Sequence, residues 1–364
     1  MKRHRFQFDS FLAIVTGVLL VLGILILASV SAGFSQEKFG RTTYYFFHQI
    51  LYGLIPGLLL SFIAFKIKFS FFQKWAWILI LVSLVLMIAV FIPGLGIISG
   101  GAPRWINLGF ATFQPSEFLK LSFIVYLSAW LVNRADKKTS LLLPFLMVLG
   151  VIVVLLSFQS DLSTLVVIIT IALLMFFLAN SSIWHNILLI FICGGGLLAL
   201  IKFAPYRMKR ILVFLDPSLD PMGMGYQINQ ILIAIGSGGI SGLGLGMSSQ
   251  RFGFIPQTMA DSIFAIFAEE TGFIGSFILI CLFLLFFWAG LRIAKKSKDK
   301  FPKLLVMGMS CWICIQAFIN IGAMIGLLPL TGIPLPFISY GGSHLIFELI
   351  AVGIILNISK SNKK

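Results

Sequence analysis

FLAIVTGVLLVLGILILASV, residues 11–30, decides the fold. The run carries no charge, and a helix of about 20 residues rises about 30 Å, the thickness of a bilayer's hydrocarbon core. The basic residues Lys2, Arg3 and Arg5 precede it. The apolar run is nevertheless longer than a secretory h-region and lacks a small-residue cleavage site, so it reads as a retained membrane helix. Comparable stretches begin near Tyr44, Trp75, Gln114, Leu141, Leu162, Trp184, Ser262, Lys303 and Ser343. Together they predict about ten transmembrane helices. The 364 residues are 59% hydrophobic and 11% charged, with a mean hydropathy of +1.05. An ordinary soluble globule, about 25% charged, is excluded. The expected architecture is an all-α polytopic membrane protein forming a single domain over residues 1–364.

Lysine and arginine set the orientation. With the N-terminus inside, cytoplasmic positions receive Lys66, Lys68 and Lys74, then Arg134, Lys137 and Lys138, the run from Arg292 to Lys303, and Lys360, Lys363 and Lys364. That bias predicts both termini in the cytoplasm. The net charge of +15 is therefore topology signal plus attraction to anionic inner-leaflet lipid, and nucleic-acid binding is not implied. Cys193, Cys281, Cys311 and Cys314 lie inside apolar spans. Cys311 and Cys314 have CxxC spacing but no neighbouring His or acidic partner, so all four read as packing residues. Residues 204–261, between helices 7 and 8, form one long extracytoplasmic loop, far above the usual connection length. Its QINQILIAIG has the period of a short amphipathic helix. Its GSGGISGLGLG has no preceding strand and so is no nucleotide fingerprint; close backbone packing or a reentrant turn fits it better.

Polar side chains converge on the outer side. In ADSIFAIFAEE, Asp261 sits where the long loop re-enters a helix, and either a helix N-cap or a functional carboxylate explains it. In RWINLGFATFQPSEFLK, Arg104 lies in the loop, and Pro115 opens a helix that carries Glu117 and Lys120 on one face at i, i+3. These two read equally as an ion pair pinning helices or as part of a site. Asp161 in FQSDLST reads as a cap or a site residue. Arg207, Lys209 and Arg210 form a cationic patch suited to phosphate or diphosphate. The Pro- and Gly-rich LPLTGIPLPFISYGGS, residues 328–343, must line protein or a cavity. His344 and Glu348, at i, i+4, read as a mutually satisfied pair. A base candidate, an ion pair, a cationic patch and broken backbone on one face are what a site requires. The ligand this location predicts is an amphiphile with a charged head group.

These motifs resemble the SEDS family (shape, elongation, division and sporulation), which includes FtsW, RodA and SpoVE. Asn320, Gly326, Pro329, Gly332 and Ser339-Tyr340-Gly341-Gly342-Ser343 carry the most specific match. RWINLG, FQPSE, FLDPSLDPMGMGYQINQ, GSGG and ADSIFAIFAEETG extend it over nearly the whole chain, and GYQINQ with the run ending in SSQ looks most like FtsW or SpoVE. The chain departs from the family pattern at four points: Ser160 stands for proline, Ser163 for glycine, Gly100 for asparagine and His344 for a small residue. These change local loop shape and leave the chemistry-bearing residues in place.

The resemblance implies a multi-pass protein of the bacterial inner membrane that polymerises lipid II into β-1,4 glycan strands beside a class B penicillin-binding protein. It implies Asp261 as catalytic base. Substrate contacts fall to Arg104, Glu117, Lys120, Asp161, Arg207, Arg210, Gln250 and Ser339. No protein metal site is implied, and a divalent cation such as Mg²⁺ would assist at the diphosphate. A lipid II flippase and a noncatalytic scaffold are the competing readings. Gly308, Ser310, Ala317 and Gly322 are expected to offer a small-residue face to a partner's transmembrane helix.

Overall fold

The computed structural model describes residues 8–99, 102–109, 111–134, 142–179, 183–248 and 259–362. Gly100, Gln250, the linker carrying Lys137 and Lys138, and the basic residues at the two ends lie outside them.

Helix α1 (Ser10–Phe39) is capped by Asp9, whose carboxylate accepts the Leu12 amide and pairs with Arg292 at 2.7 Å. Next come α2 (Tyr44–Gln49), a π-helical turn (Ile50–Leu54) and α3 (Ile55–Lys66), which together make one span, and then α4 (Phe69–Ala89). The chain continues through α5 (Pro115–Arg134), α6 (Leu142–Phe158), α7 (Leu162–Leu178) and α8 (Ile183–Lys202). Residues 204–261 are largely helical where described: α9 (Pro205–Leu215), a 3₁₀ turn at Pro217–Leu219 and α10 (Met224–Ser237), where the amphipathic stretch was expected. The closing elements are α11 (Ile263–Lys296), α12 (Lys300–Met324) and α13 (Gly342–Ser361). Among the described residues, eight helices are long and apolar enough to span a membrane, and α6 and α7 are shorter apolar helices of 17 residues each. Most exposed apolar side chains stand on these helices, as a lipid-facing surface requires.

The loop expected around Arg104 is instead a small sheet. Strands β1 (Gly96–Ser99), β2 (Ala102–Asn107) and β3 (Thr112–Phe113) form an antiparallel sheet in the order β1-β2-β3. Strands this short, broken by Gly and Pro, give too little alternation for periodicity to register. The sheet rests on α5 and α13 and carries Arg104.

Helix α12 is the core of the bundle, packed against α5, α7, α11 and α13. This overturns the expected docking face. Ser310 and Ala317 are fully buried, and a Cβ added to Gly308 would lie 2.7 Å from Ile124 Cγ2 and 2.8 Å from Met175 Sδ. The small residues admit the protein's own helices, so a leucine at Gly308 would overpack the core.

Helix α11 is broken at Gly272 (φ 66°, ψ −162°). A broken helix at membrane depth frees backbone groups that lipid cannot satisfy. The glycine-rich turn after α10 satisfies them: Leu243 and Gly244 donate to the Glu269 and Glu270 carbonyls, and Phe273 and Ile274 donate to Gly239 and Ile240. Gly242 and Gly272 meet with no room for a Cβ on either. GSGGISGLGLG is thus a close-packed backbone clasp around the α11 break at Gly272.

Candidate active site

A polar cavity of about 220 Å³ opens between the start of α5, the α6–α7 turn, α9 and the irregular segment 325–341. Arg104, Glu117, Lys120, Asp161, Arg210, Tyr340 and His344 line it. An apolar cavity of about 220 Å³ adjoins it and shares Ser160, Ser163, Arg210, Thr331 and Ile333 as a wall. Leu162, Val166, Ile201, Ile211, Ile319 and Leu328 line this second space. Polar chamber and greasy groove meet at Arg210.

Asp261 does not itself line the polar chamber: it follows Ala260, which does, and a Cβ on the chamber-lining Gly332 would stand 3.7 Å from its Oδ2. The residue is 5% exposed, and its Oδ1 has no hydrogen-bond partner among the described residues. The backbone amides of Asp261 and Ser262 lie close to the carboxylate and favour its charged form. Burial pushes its pKa up to about 6, against the opposing pull of these amides and of Arg210. The helix cap proper is Ser262, which makes no side-chain capping bond. Three elements hold the segment around Asp261. Asn320 Nδ2 of α12 donates to the Asp261 carbonyl at 2.7 Å and to Ile333 at 2.8 Å; Gln227 of α10 donates to Ser262 Oγ at 3.2 Å; and the Tyr340 amide donates to Met259 at 2.8 Å.

Glu117 and Lys120 form the expected ion pair, at 2.9 Å and with both side chains 2% exposed. Lys120 also donates to Gln316 Oε1 at 2.7 Å and lies over the Trp312 ring, while Gln316 Nε2 donates to the Pro334 carbonyl at 3.1 Å. The pair thus connects, through one glutamine, to the segment facing Asp261. Asp161 caps α7, accepting from the Thr164 amide and hydroxyl, and still faces the cavity. Arg104 donates to the Gln159 and Ser160 carbonyls at 3.1 and 2.6 Å, bracing the α6–α7 turn, where Ser160 takes a left-handed φ of 52°.

The cationic patch divides. Arg207 is 6% exposed and donates to the Tyr206 hydroxyl and the Leu200 and Ser157 carbonyls, which ties α9 to the ends of α6 and α8. Lys209 pairs with Asp220 at 3.0 Å on the surface. Arg210 is half-buried, and among the described residues its one hydrogen bond is a long 3.5 Å contact to Leu330. Of these three, Arg210 carries the guanidinium left to meet an anion among the described residues. We therefore expect Arg207→Ala to lower the melting temperature, since it removes the buried guanidinium that ties α9 to α6 and α8, each lost hydrogen bond being worth about 0.5–1.5 kcal/mol. Arg210→Ala should fold normally and lose turnover, with Arg210→Lys intermediate because a lysine cannot grip a diphosphate in two places. Melting curves and glycan yield on the same preparations check both.

Ser339 is fully buried, and its hydroxyl accepts the Leu335 amide, so it shapes the loop from within. Gln250 lies outside the described residues. The expected His344–Glu348 pair is not formed: Glu348 Oε2 accepts the Phe337 amide at 2.8 Å, while His344 Nε2 and Glu348 Oε1 have no hydrogen-bond partner among the described residues. A glutamate one turn along α13 meets a stronger claim from the left-handed turn at Phe337 (φ 63°). Sequence reasoning missed Gln316, Tyr340 and the placement of His344. Their signal was the polar residues in α12 and in the segment 339–344, with no periodicity to say which way they faced.

Fold and site together define a helical, multi-pass membrane protein with a polar chamber beside an apolar groove. A profile of the FtsW, RodA and SpoVE family, described as cell cycle proteins, matches residues 9–364, and the chain belongs to that family. It is 38% identical over 358 residues to stage V sporulation protein E of Bacillus subtilis, covering 98% of each chain. It is likewise 38% identical to a probable peptidoglycan glycosyltransferase FtsW of Nitrosococcus halophilus, over 97% of this chain and 92% of that one. Among solved structures, a chain from a peptidoglycan synthase complex that coordinates polymerization and crosslinking superposes with a TM-score of 0.81 at 25% identity, over 98% of each chain. The rod shape determining protein RodA of Thermus thermophilus shares the fold with a TM-score of 0.73.

Proposed function

We propose that this protein polymerises lipid II, transferring a lipid-linked sugar to an acceptor sugar hydroxyl with inversion at C1 and release of undecaprenyl diphosphate. Its class, a peptidoglycan glycosyltransferase, is the one its FtsW relatives are named for. The observation that carries the reading is Asp261, a buried carboxylate with an unpartnered oxygen among the described residues, placed between Ala260 and Gly332 of a polar chamber that adjoins an apolar groove. An amphiphilic donor fits that pairing, with its sugars in the chamber, its diphosphate by Arg210 and its polyprenyl chain in the groove.

In the step, the acceptor hydroxyl oxygen forms a bond to C1 as the bond from C1 to the diphosphate oxygen breaks, and the hydroxyl proton passes to Asp261. Charge grows on the departing diphosphate, where Arg210 is preorganised to receive it. Lys120 and Arg104, each bonded to the protein, shape the chamber. A divalent cation such as Mg²⁺ would be held by the diphosphate itself, since Asp161 is engaged by Thr164 and Glu117 by Lys120. A class B penicillin-binding protein is the proposed partner, supported by the synthase complex whose chain shares this fold.

Purified protein given labelled lipid II, without partner or membrane gradient, tests the reading: glycan polymer supports it, transbilayer movement alone means a flippase, and neither means a scaffold. The pH dependence follows from Asp261. Its ionised form is the base, so polymerisation should fall as pH drops through about 6, the raised value. Stability runs the opposite way. The folded pKa lies above the ordinary 3.8, so the contribution is complete below about pH 4 and is lost as pH rises through about 6. A pH–rate profile paired with melting temperatures, wild type against Asp261→Asn, checks both signs. An acid limb nearer 4 would mean a base other than Asp261.

A further inference from the structure

We propose that His344 is a sugar-binding residue: its Nε2 accepts a hydrogen bond from a hydroxyl or acetamido N–H of the lipid-linked sugar in the polar chamber. This rests on the reading of the chamber given above and adds a specificity contact to it. The residue is 4% exposed and lines the cavity, yet Nε2 has no hydrogen-bond partner among the described residues. Buried ring nitrogens are ordinarily satisfied, because an orphaned one forfeits its solvation. The other nitrogen decides what Nε2 can do. The Ser339 backbone stands beside the ring and favours a proton on the nitrogen that faces it; with Nε2 unpartnered among the described residues we assign that proton to Nδ1. A neutral ring with its proton on Nδ1 presents only a lone pair at Nε2.

The ring is also held in place from outside. A Cβ on Gly341 (φ 156°) would fall 2.6 Å from Nδ1, so glycine at 341 gives the imidazole its seat. The Gly341 amide donates to Gln49 Oε1 at 3.0 Å, and the Tyr340 hydroxyl meets His48 Nδ1 at 2.8 Å, so α2 anchors the turn that carries the histidine. A fixed acceptor beside the cations Lys120 and Arg210, which only donate, supplies what a sugar head group needs and they cannot give: a partner for its own O–H or N–H. Acceptors buried in a chamber discriminate strongly against ligands that lack the matching donor.

Lipid II binding and turnover are measured for wild type, His344→Ala and His344→Gln, the last placing an acceptor oxygen near the Nε2 position. We expect His344→Ala to fold normally and lose about tenfold in kcat/KM, chiefly through a raised KM, the worth of one hydrogen bond of about 1.4 kcal/mol. His344→Gln should recover most of the loss. Wild-type KM in folded His344→Ala, with the wild type polymerising, overturns this proposal and leaves the glycosyltransferase reading intact. A loss in His344→Ala that His344→Gln leaves uncorrected also overturns it, marking the ring as packing. A wild type that neither binds nor polymerises lipid II overturns both.

Discussion

Asp261→Asn should lose polymerisation by about 10²–10⁴-fold, the usual worth of general base catalysis, while remaining folded. Asparagine is nearly isosteric with aspartate and keeps an oxygen for the Ser262 amide, so a purely structural residue would tolerate the exchange. It cannot take a hydroxyl proton at neutral pH. Burial strengthens the forecast: removing a carboxylate that burial disfavours should leave the melting temperature at neutral pH unchanged or raised, in contrast to the loss expected where a satisfied cap is removed. The backbone around it is held independently through Asn320 and Tyr340, so the side chain can change without releasing the segment. Glycan product, melting temperature and lipid II binding measured on one preparation separate the roles. Parental polymer yield from well-folded Asp261→Asn would falsify the assignment.

What could be read from sequence followed the range of the interaction. Apolar length is local, and the spans stood out at once, as did the Glu117–Lys120 pair, which three residues of helix bring together without help from the rest of the chain. The glycines of GSGGISGLGLG announced close packing for the same reason, although nothing local named the broken turn at Gly272 as its object. Partner choice was not legible. Gly308 and Ala317 make a face any helix could use, and the bundle's own helices take it. Spacing placed His344 and Glu348 on one side of α13 but could not see Phe337, whose amide takes the carboxylate. Arg207 and Arg210 looked alike because the carbonyls that capture Arg207 come from the ends of two other helices. The chamber is assembled from segments as far apart as Arg104 and His344, so no window of sequence contains it.

The buried ion pair carries the largest stability forecast. Lys120→Met leaves Glu117 uncompensated at 2% exposure, which should cost about 3–5 kcal/mol. Adding Glu117→Gln removes the stranded charge. The double variant should therefore recover most of that stability, since apolar and neutral replacements of buried pairs are often close to neutral. Activity should not recover with it. Lys120 donates to Gln316, and Gln316 holds Pro334 in the segment facing Asp261, so the pair sets the far wall of the chamber as well as filling the core. The expected pattern is a deep loss of melting temperature in the single variant, a near-parental melting temperature in the double, and low glycan yield in both. A double variant that regains stability and turnover together would confine Glu117 and Lys120 to packing. A Lys120→Met protein as stable as its parent would mean that the charge left on Glu117 finds water, and that the base of the chamber is wetter than 2% exposure allows.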